Sequence, residues 1–366
     1  MKIYLTDYRT AWTDNKRTIG DIKYPQTVHV FEDTYARSKT GMVYPPHRVA
    51  DKVLDPVLCE RLRKTPVKTA FILAGGNANF AGLLSKNYDN SLSYVYKFLP
   101  LTLTQVYASR IAQSIGATDH ITTDASACAS SLKVMMDVQT LIDYYQFDRV
   151  VVLGIEDAVS NGVLEFFGEA KASLSYADEH AGKLPSAFDS TNGGFRVAQG
   201  SVFAVFESER IADSGYAELL SAYTASEACS NAIGQDADGQ GFTNAIAGAL
   251  EFKGITADSI TVVKTHGTGT QSNNRAERNS LNTLLPEYVA TSYKPQVGHT
   301  MGVSGLLETC LLLDDIRTGY VPAILNRTET DRVFLSERTA FTGGNILSLA
   351  AGMGNVYSAA IWRFIK

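Results

Sequence analysis

This chain of 366 residues has no long apolar run, no excess of basic charge and no closely spaced cysteines. A membrane-spanning helix needs about 18 or more consecutive apolar residues, and the absence of such a run predicts no membrane span. The 33 basic and 38 acidic residues give a net charge of −5, which argues against a general nucleic-acid or anionic-membrane binder. The N-terminal residues lack an apolar core followed by a small-residue cleavage site, so we expect a cytoplasmic protein.

Cysteine is scarce and scattered. The four residues are Cys59, Cys128, Cys229 and Cys310, with no C-x-x-C pair among them. This spacing predicts neither a disulfide framework nor a metal site, and we expect reduced thiols. Three of the cysteines are interpreted as small buried apolar residues. Cys128 differs because of its sequence context.

The sequence around Cys128 predicts a short strand, a run of small residues and then a helix. The segment reads TTDASACASSL over residues 122–132, and apolar residues at helical spacing follow it. The cysteine would therefore lie at a helix N-terminus, where unpaired N–H groups and the positive end of the helix dipole gather. Such a position favours the thiolate, which is the nucleophilic form of cysteine.

The order of predicted elements repeats after about half of the chain. A buried strand over residues 69–74 ends in glycines, and a second strand over 259–264 ends in THGTGT. We interpret this as a duplicated α/β unit, with an N-terminal half over 1–215 and a C-terminal half over 216–366. Overlaying the halves places Cys128 and His299 at equivalent starts of leucine-rich helices. The segment at about 158–192 has no counterpart, and we expect it to cap the site.

Three short blocks carry the candidate chemistry. They are DASACASSL with Cys128, THGTGT with His266, and KPQVGHT with Lys294 and His299. A cysteine nucleophile with nearby histidine is the general arrangement for acyl transfer. Two imidazoles suit a second task, which is polarising a carbonyl group while an enolate forms.

These blocks resemble the active-site motifs of β-ketoacyl synthases. DASACASSL resembles D-T-A-C-S-S-S-L, THGTGT resembles E-A-H-G-T-G-T, and KPQVGHTMGVSGLLE resembles K-S-x-x-G-H-x-x-x-A-A-G-x-x-E. The three occur in family order, and the likeness runs from about residue 70 to the C-terminus. The resemblance implies a thiolase-like fold, in which two βαβαβαββ halves form a five-layered αβαβα arrangement. It also implies a dimer, either a homodimer or a heterodimer.

The resemblance further implies a role for each matching residue. Cys128 would carry the acyl group, and His266 and His299 would promote decarboxylation of a malonyl thioester, with Lys294 close by. Backbone N–H groups of Cys128 and Met353 would form an oxyanion hole. Thr268, Thr270 and Met353 would contact the substrate, and Glu308 would pair with Lys294. The implied partner is acyl carrier protein, whose phosphopantetheine arm carries the substrates, with no tightly bound cofactor and no metal.

Several positions depart from the family motifs. Met353 stands where the family has a gating phenylalanine, and a methionine side chain is more flexible. Residues 198–200 read AQG in place of G-E-G, and residues 271–274 read QSNN in place of P-x-G-D, with Glu277 following. The N-terminal region also differs from the family opening. We interpret the chain as a divergent member with its own chain-length preference.

Other functions remain alternatives. A chain-length-factor-like subunit would shape the pocket of a partner synthase without catalysis, but that class typically lacks the cysteine. A thiolase, or a synthase with coenzyme A primers, carries Cys-His-Cys or Cys-His-Asn, and His299 disfavours both. A metal site on Cys128 and the histidines lacks a fourth ligand at suitable spacing.

A basic cluster is the candidate docking surface for the acidic carrier protein. It comprises Arg61, Arg63, Lys64 and Lys68. The other interpretation is a solvated C-terminal end of a helix, where the negative end of the helix dipole stabilises basic residues.

Overall fold

The computed structural model describes residues 1–31, 49–75, 104–227 and 236–365. Cys229 lies outside these residues, as do most of the glycine turn after residue 75 and much of the helical stretch expected over 91–116. All elements below belong to the described part of the chain.

The N-terminal half follows the order βαβαβαββ, with an added hairpin near its start and two added helices before its last strand. Its elements are β1 (Ile3–Ala11), β2 (Lys16–Ile19), β3 (Gln26–His29), α1 (Pro56–Lys64), β4 (Thr69–Ala74), α2 (Thr104–Ser114), β5 (His120–Asp124), α3 (Ser130–Asp143), β6 (Arg149–Asp157), α4 (Asn161–Glu169), α5 (Tyr176–His180) and β7 (Gln199–Ser208).

The C-terminal half repeats that order. Its elements are β8 (Ala217–Ser226), α6 (Gln240–Phe252), β9 (Ile260–Lys264), α7 (Gln271–Leu284), β10 (Val289–Thr291), α8 (Lys294–Val297), α9 (Ser304–Arg317), β11 (Tyr320–Val321), β12 (Thr339–Ala340), β13 (Asn345–Gly352) and β14 (Val356–Phe364). Without the one-turn helix α8 and the short β11–β12 pair, this half is also βαβαβαββ. The predicted duplication is therefore confirmed.

Strand order is the same in both halves. One side of the sheet runs β1-β7-β6-β4-β5, and the other runs β8-β14-β13-β9-β10. The strands β4, β5 and β6 are parallel, while β7 pairs antiparallel with β6 and with β1. The two sides meet where Tyr4 and Leu5 of β1 pair with Glu218 and Ala217 of β8. Strand β6 is buried along its whole length, as a strand covered by helices on both faces requires.

Helices α3 and α9 form the central layer between the two halves. Helix α3 contacts β4 and β6 on one side and β13 and β14 on the other, and α9 contacts both β7 and β13. They approach closely at Gly305, where an added Cβ would lie 2.6 Å from the Cβ of Leu132. Separate hydrophobic clusters cover the outer faces, one with α1 and α2 and one with α6 and α7. The arrangement is the expected five-layered αβαβα fold.

Three local expectations need correction or extension. Residues 10–50 are irregular only in part, because β2 and β3 pair as an antiparallel hairpin. The helix expected over 49–64 is interrupted: residues 49–51 are helical, 52–55 are not, and α1 begins at Pro56. The Asp55 side chain caps α1 by accepting from the N–H of Val57. The sequence reading did not identify β8 or α6. No helix in the described ranges is long and apolar enough to cross a membrane.

Candidate active site

Cys128 lies in a tight turn at the start of the central helix α3. Residues Ala127–Ala129 form one turn of 3₁₀ helix, and Ala127 has a φ of 47°. This is a region that L-residues with a side chain rarely occupy. The thiol is 7 % exposed, and its Sγ lies 3.9 Å from Sδ of Met301. The turn therefore presents the sulfur to the second half of the molecule.

The protonation of Cys128 differs from the expectation. Burial raises the pKa of the Cys128 thiol to about 12, the Lys294 ammonium opposes this rise, and the Glu156 carboxylate adds to it. The expected thiolate is therefore wrong for the substrate-free protein. Loss of solvation disfavours the charged form, and here it exceeds the effect of the helix N-terminus.

The second half provides a matching turn, although the expected overlay is shifted. Helices α3 and α9 both have 14 residues, and a 3₁₀ turn precedes each. Ser130 is the first residue of α3 and Ser304 is the first residue of α9, so these two positions are equivalent. Two residues before them lie Cys128 and Gly302, which are therefore the equivalent pair. His299 lies three residues before Gly302, so its equivalence to Cys128 is wrong. The two 3₁₀ turns nevertheless contact each other, which brings His299 to the cysteine's side of the site.

Hydrogen bonds fix the tautomer and orientation of His299. The N–H of Met301 donates to His299 Nδ1 at 3.2 Å, and the Ser304 hydroxyl lies 3.0 Å from the same nitrogen. Because Nδ1 accepts from a backbone N–H, Nε2 carries the ring proton of the neutral form. The Phe195 ring packs edge-on against the imidazole, with the centroids 4.8 Å apart.

His266 lies opposite His299 on the loop that follows β9. The two ring centroids are 5.8 Å apart and the rings are nearly perpendicular. Glu277 on α7 anchors this loop by accepting from the N–H groups of His266 at 2.5 Å and Gly267 at 3.0 Å. Nδ1 of His266 is buried and has no hydrogen-bond partner in the described structure. A buried unpaired nitrogen is costly, and it is typical of a group that awaits a substrate.

A buried ion cluster lies behind the two histidines. Lys294 Nζ contacts Glu308 Oε1 at 3.0 Å and donates to the carbonyl oxygen of His266 at 2.5 Å. Glu308 also pairs with Lys264, whose Nζ lies 3.2 Å from Oε2. The structure thus brings Lys294 together with its expected partner Glu308 and adds a second lysine to the pair.

Both histidines are neutral in this environment. Burial lowers the pKa of His299 well below its usual range, and the Lys294 and Lys264 ammonium groups lower it further. The pKa of His266 is also well below its usual range, first through burial and then through Lys294, His299 and Lys264. Two neutral imidazoles can donate N–H hydrogen bonds to a developing oxyanion.

The remaining site residues surround these groups. The hydroxyls of Thr268 and Thr270 lie 3.1 Å apart on the loop that follows His266. Met353 is half-buried and packs against the apolar cluster that includes Cys128. A Cβ added to the neighbouring Gly352 would lie 2.6 Å from the carbonyl oxygen of Ser126, so the 352–354 turn lies directly against the cysteine turn.

The segment expected to cap the site contributes to the same apolar cluster. Val163, Leu164 and Phe167 of α4 belong to the cluster that contains Cys128. Strand β3 of the hairpin adds Val28 to it. Apolar side chains from both additions therefore surround the thiol and limit its contact with water.

Sequence reasoning missed four residues of the site. Glu156 accepts from the N–H of Gly302 at 3.1 Å, Met301 contacts Cys128, and Phe195 contacts His299. The fourth is Lys264, which stands where the motif E-A-H-G-T-G-T has its glutamate. That exchange of charge is visible in the sequence, whereas the other three contacts depend on distant segments that meet only in the fold.

Comparison with known proteins agrees with this geometry. The duplicated halves and the central helix pair define the class of thiolase-like folds. Residues 56–212 match the family described as "Beta-ketoacyl synthase, N-terminal domain", and residues 216–328 match "Beta-ketoacyl synthase, C-terminal domain". The chain belongs to the β-ketoacyl synthase family.

Individual relatives are distant. The chain is 24 % identical over 241 residues to 3-oxoacyl-[acyl-carrier-protein] synthase 2 of Mycobacterium tuberculosis, covering 63 % of this chain and 58 % of the relative. It is 28 % identical over 282 residues to the tetracenomycin polyketide synthase ketoacyl synthase alpha subunit of Streptomyces glaucescens, covering 72 % and 64 %. The chain thus spans about 58 to 64 % of the length of these relatives.

Solved structures share the fold over the whole chain. One is a type II polyketide synthase acyl carrier protein in complex with its ketosynthase bound to the hexaketide, with a TM-score of 0.82, 17 % identity and coverage of 100 % of this chain and 99 % of that chain. Another is the ishigamide ketosynthase/chain length factor, with a TM-score of 0.76, 18 % identity and coverage of 100 % and 99 %.

Proposed function

We propose that this protein is a β-ketoacyl-acyl carrier protein synthase, which condenses an acyl group held on Cys128 with a malonyl thioester. The observation that carries the proposal is the convergence of one buried thiol and two neutral imidazoles. Met301 links the thiol to His299, since its Sδ lies 3.9 Å from Cys128 Sγ and its N–H donates to His299 at 3.2 Å. The ring centroid of His266 lies 5.8 Å from that of His299.

The first step transfers the acyl group to the enzyme. The sulfur of Cys128 attacks the thioester carbonyl of the acyl carrier, a new C–S bond forms, and the phosphopantetheine thiol leaves with the proton that Cys128 loses. Because burial keeps the free thiol protonated, this proton must move during the attack rather than before it. The apolar cluster around the sulfur protects the acyl-enzyme from water.

The second step forms the carbon–carbon bond. The malonyl thioester loses CO₂, and the electrons of the broken bond move to the thioester oxygen as an enolate. N–H donors of His266 and His299 stabilise that oxygen, and each donor of this kind is worth about 3 kcal/mol. The enolate carbon then attacks the acyl carbonyl and releases the sulfur of Cys128, which regains a proton.

Other residues have supporting roles in this proposal. Backbone N–H groups of Cys128 and Met353 form the oxyanion hole, and the contact between the 352–354 turn and the cysteine turn supports this assignment. Thr268 and Thr270 bind the phosphopantetheine arm of acyl carrier protein. Lys294, paired with Glu308, holds the loop of His266 through its carbonyl oxygen. No metal is assigned.

A chain-length-factor-like role is the second candidate, with a partner ketosynthase as the catalytic subunit. The structural similarity to a ketosynthase/chain length factor supports it. Retention of Cys128, His266, His299 and Lys294 together favours the catalytic role. A catalytic subunit could act as a homodimer or pair with another chain, whereas the non-catalytic subunit requires a heterodimer.

The test is acylation of the intact protein. The chain is incubated with acyl carrier thioesters of several lengths and weighed by mass spectrometry. We expect one acyl adduct that is absent from Cys128→Ala and retained by Cys310→Ala, a matched control at a buried cysteine on α9. No adduct with any primer would favour the non-catalytic subunit. The longest chain that is accepted reports the depth of the pocket past Met353.

A further inference from the structure

Lys264 is a fully buried cation that the reaction steps above do not use. It is the last residue of β9, and its side chain has no exposure. Its ammonium group lies 3.2 Å from Glu308 Oε2 and donates to the carbonyl oxygen of Leu349 at 2.8 Å. Because the same carboxylate pairs with Lys294, a single anion lies between two cations.

The charge balance around the two histidines is therefore unusual. Burial lowers the pKa of Lys264 to about 8, so the triad of Lys264, Lys294 and Glu308 carries one net positive charge at neutral and acidic pH. Several elements place titratable groups around the two imidazoles: Glu277 on α7, Glu156 on β6, Cys128 in its turn, and His29 on β3, which packs against the loop of His299. Glu277 is anchored to backbone N–H groups of the His266 loop.

A structural role alone does not explain this lysine. Removing an ammonium group from water costs several kcal/mol, and an apolar residue of the same size is often equally stable or more stable. Its Glu308 partner is already satisfied by Lys294 through both carboxylate oxygens. In the family motif quoted above, this position is a glutamate, so the lysine reverses the sign of the charge at this point.

We propose that Lys264 is a positioning residue for the condensation, which fixes Glu308 against Lys294 and supplies a positive field behind His266 and His299. The inference rests on the proposed function and deepens it. Burial keeps both imidazoles neutral and the field adds to this effect, so that each ring keeps an N–H donor. The field also stabilises the enolate, whose negative charge forms on the opposite side of the imidazoles as CO₂ leaves.

Replacement of Lys264 by methionine tests this role. Decarboxylation of a malonyl thioester and acylation of Cys128 are measured separately between pH 4 and 7, where Lys264 is charged because its pKa, lowered by burial, is about 8. In Lys264→Met we expect decarboxylation to slow about ten-fold. The acidic limb, which is the fall of the decarboxylation rate at low pH, should move about one pH unit upward, because histidines without that cation bind protons at higher pH. Acylation should stay within about two-fold, since Cys128 acts before any enolate forms.

A charge-balanced double variant separates the field from packing. Lys264→Met with Glu308→Gln removes one cation and one anion, so the triad regains one net positive charge through Lys294. We expect the acidic limb to return to its wild-type position in this variant. Arg149→Met is the matched control, because it removes a buried cation from its pair with Glu207 at the opposite end of β6. It should leave the pH profile unmoved.

Two results would overturn the inference. The acidic limb could stay in place in Lys264→Met, or decarboxylation and acylation could fall together to the same extent as in Arg149→Met. If Lys264→Met does not fold, Lys264→Gln keeps a donor and removes the charge. Direct NMR titration of His266 and His299 in the wild type and in the Lys264 variant decides the electrostatic role even if the wild type lacks condensing activity, which would refute only the proposed function.

Discussion

At the scale of the residue, burial has a larger effect on the protonation of the Cys128 thiol than its position at a helix N-terminus. The helix N-terminus and Lys294 both favour the thiolate, yet the apolar surroundings leave the thiol protonated. The free protein thus holds a weakly reactive thiol. This limits oxidation and alkylation, which require the thiolate.

The pH dependence of alkylation checks this state of the thiol. Because burial raises the pKa of Cys128 to about 12, the thiolate fraction increases about ten-fold for each pH unit below that value. We expect the rate of iodoacetamide labelling at Cys128 to rise about 100-fold between pH 7 and 9. Peptide mapping by mass spectrometry measures the rate, with buried Cys310 as the internal reference. A rate that levels off near pH 7 would instead show a preformed thiolate.

The two central helices are the element on which the geometry of the site depends. Helices α3 and α9 lie against both halves of the sheet, and their preceding turns hold Cys128 and Met301 in contact. The N–H of Leu306 donates to the Ser131 hydroxyl at 3.1 Å, which ties the two helix starts together. The distance between the thiol and His299 is therefore set by helix packing.

Gly305→Ala tests this helix contact. An added Cβ would lie 2.6 Å from the Cβ of Leu132, so the helices must separate. Overpacking of this kind costs about 1 to 3 kcal/mol and exceeds the gain of under 1 kcal/mol in helix propensity. Urea unfolding should show a net loss of about 1 to 2 kcal/mol, and acylation of Cys128 should slow. Gly20→Ala is the control, since no atom lies within 4 Å of its added Cβ. Equal stability of the two variants would contradict a tight helix contact.

Buried neutral histidines make the stability of the whole molecule depend on pH. Burial lowers the pKa of His29 to about 4, and it lowers the pKa of His266 and His299 well below their usual range. The unfolded chain binds protons on these residues below about pH 6.5, while the folded chain does not. Their contribution is fully present above pH 6.5 and is lost as the pH falls toward the folded values.

We therefore expect the free energy of unfolding to fall between pH 7.5 and 5.0. The loss should be about 1 to 2 kcal/mol for each buried histidine. Denaturant unfolding at the two pH values measures it. His29→Asn should reduce the loss, whereas His180→Asn, at an exposed position on α5, should leave it unchanged. A stability that is the same at both pH values would show that the histidines are protonated in the folded chain.

The contacts that basic residues make at the surface of the molecule reduce the number of candidates for carrier-protein docking. Among the four basic residues predicted for this role, Arg61 pairs with Asp7, Lys64 with Glu60, and Lys68 donates to the carbonyl oxygen of Tyr145. Arg63 is exposed and forms no ion pair within the described structure. We propose it as the most available partner for an acidic carrier.

Charge reversal at Arg63 tests that surface. Arg63→Glu should raise the KM for acyl carrier substrates about three- to ten-fold, because it removes one attractive contact and adds a repulsive one. Turnover of a small phosphopantetheine thioester without carrier protein should not change. Lys2→Glu is the matched control, because it makes the same charge reversal at an exposed residue outside α1. Unchanged carrier kinetics would exclude α1 as the docking surface.

Much of the fold and the membership of the family followed from the sequence. Strand β4 lies at its predicted bounds, and β6, β9 and α9 lie within a few residues of theirs. Long apolar strands and helical spacing are local signals, so a single sequence shows them. The three motifs also placed Cys128, His266 and His299 on loops that meet in one site. Strand β8 was missed because its burial depends on neighbours far away in the chain.

The sequence by itself determined which groups are present: a thiol at the start of a helix, two histidines on glycine-flanked loops, and a lysine with a glutamate 14 residues later. Only the tertiary structure decided which of these groups are charged and which of them form ion pairs. Protonation of Cys128, neutrality of the histidines and sharing of Glu308 by Lys264 and Lys294 all depend on burial and on charges from other elements. Desolvation and Coulomb energy are properties of position in space, which the order of residues does not state.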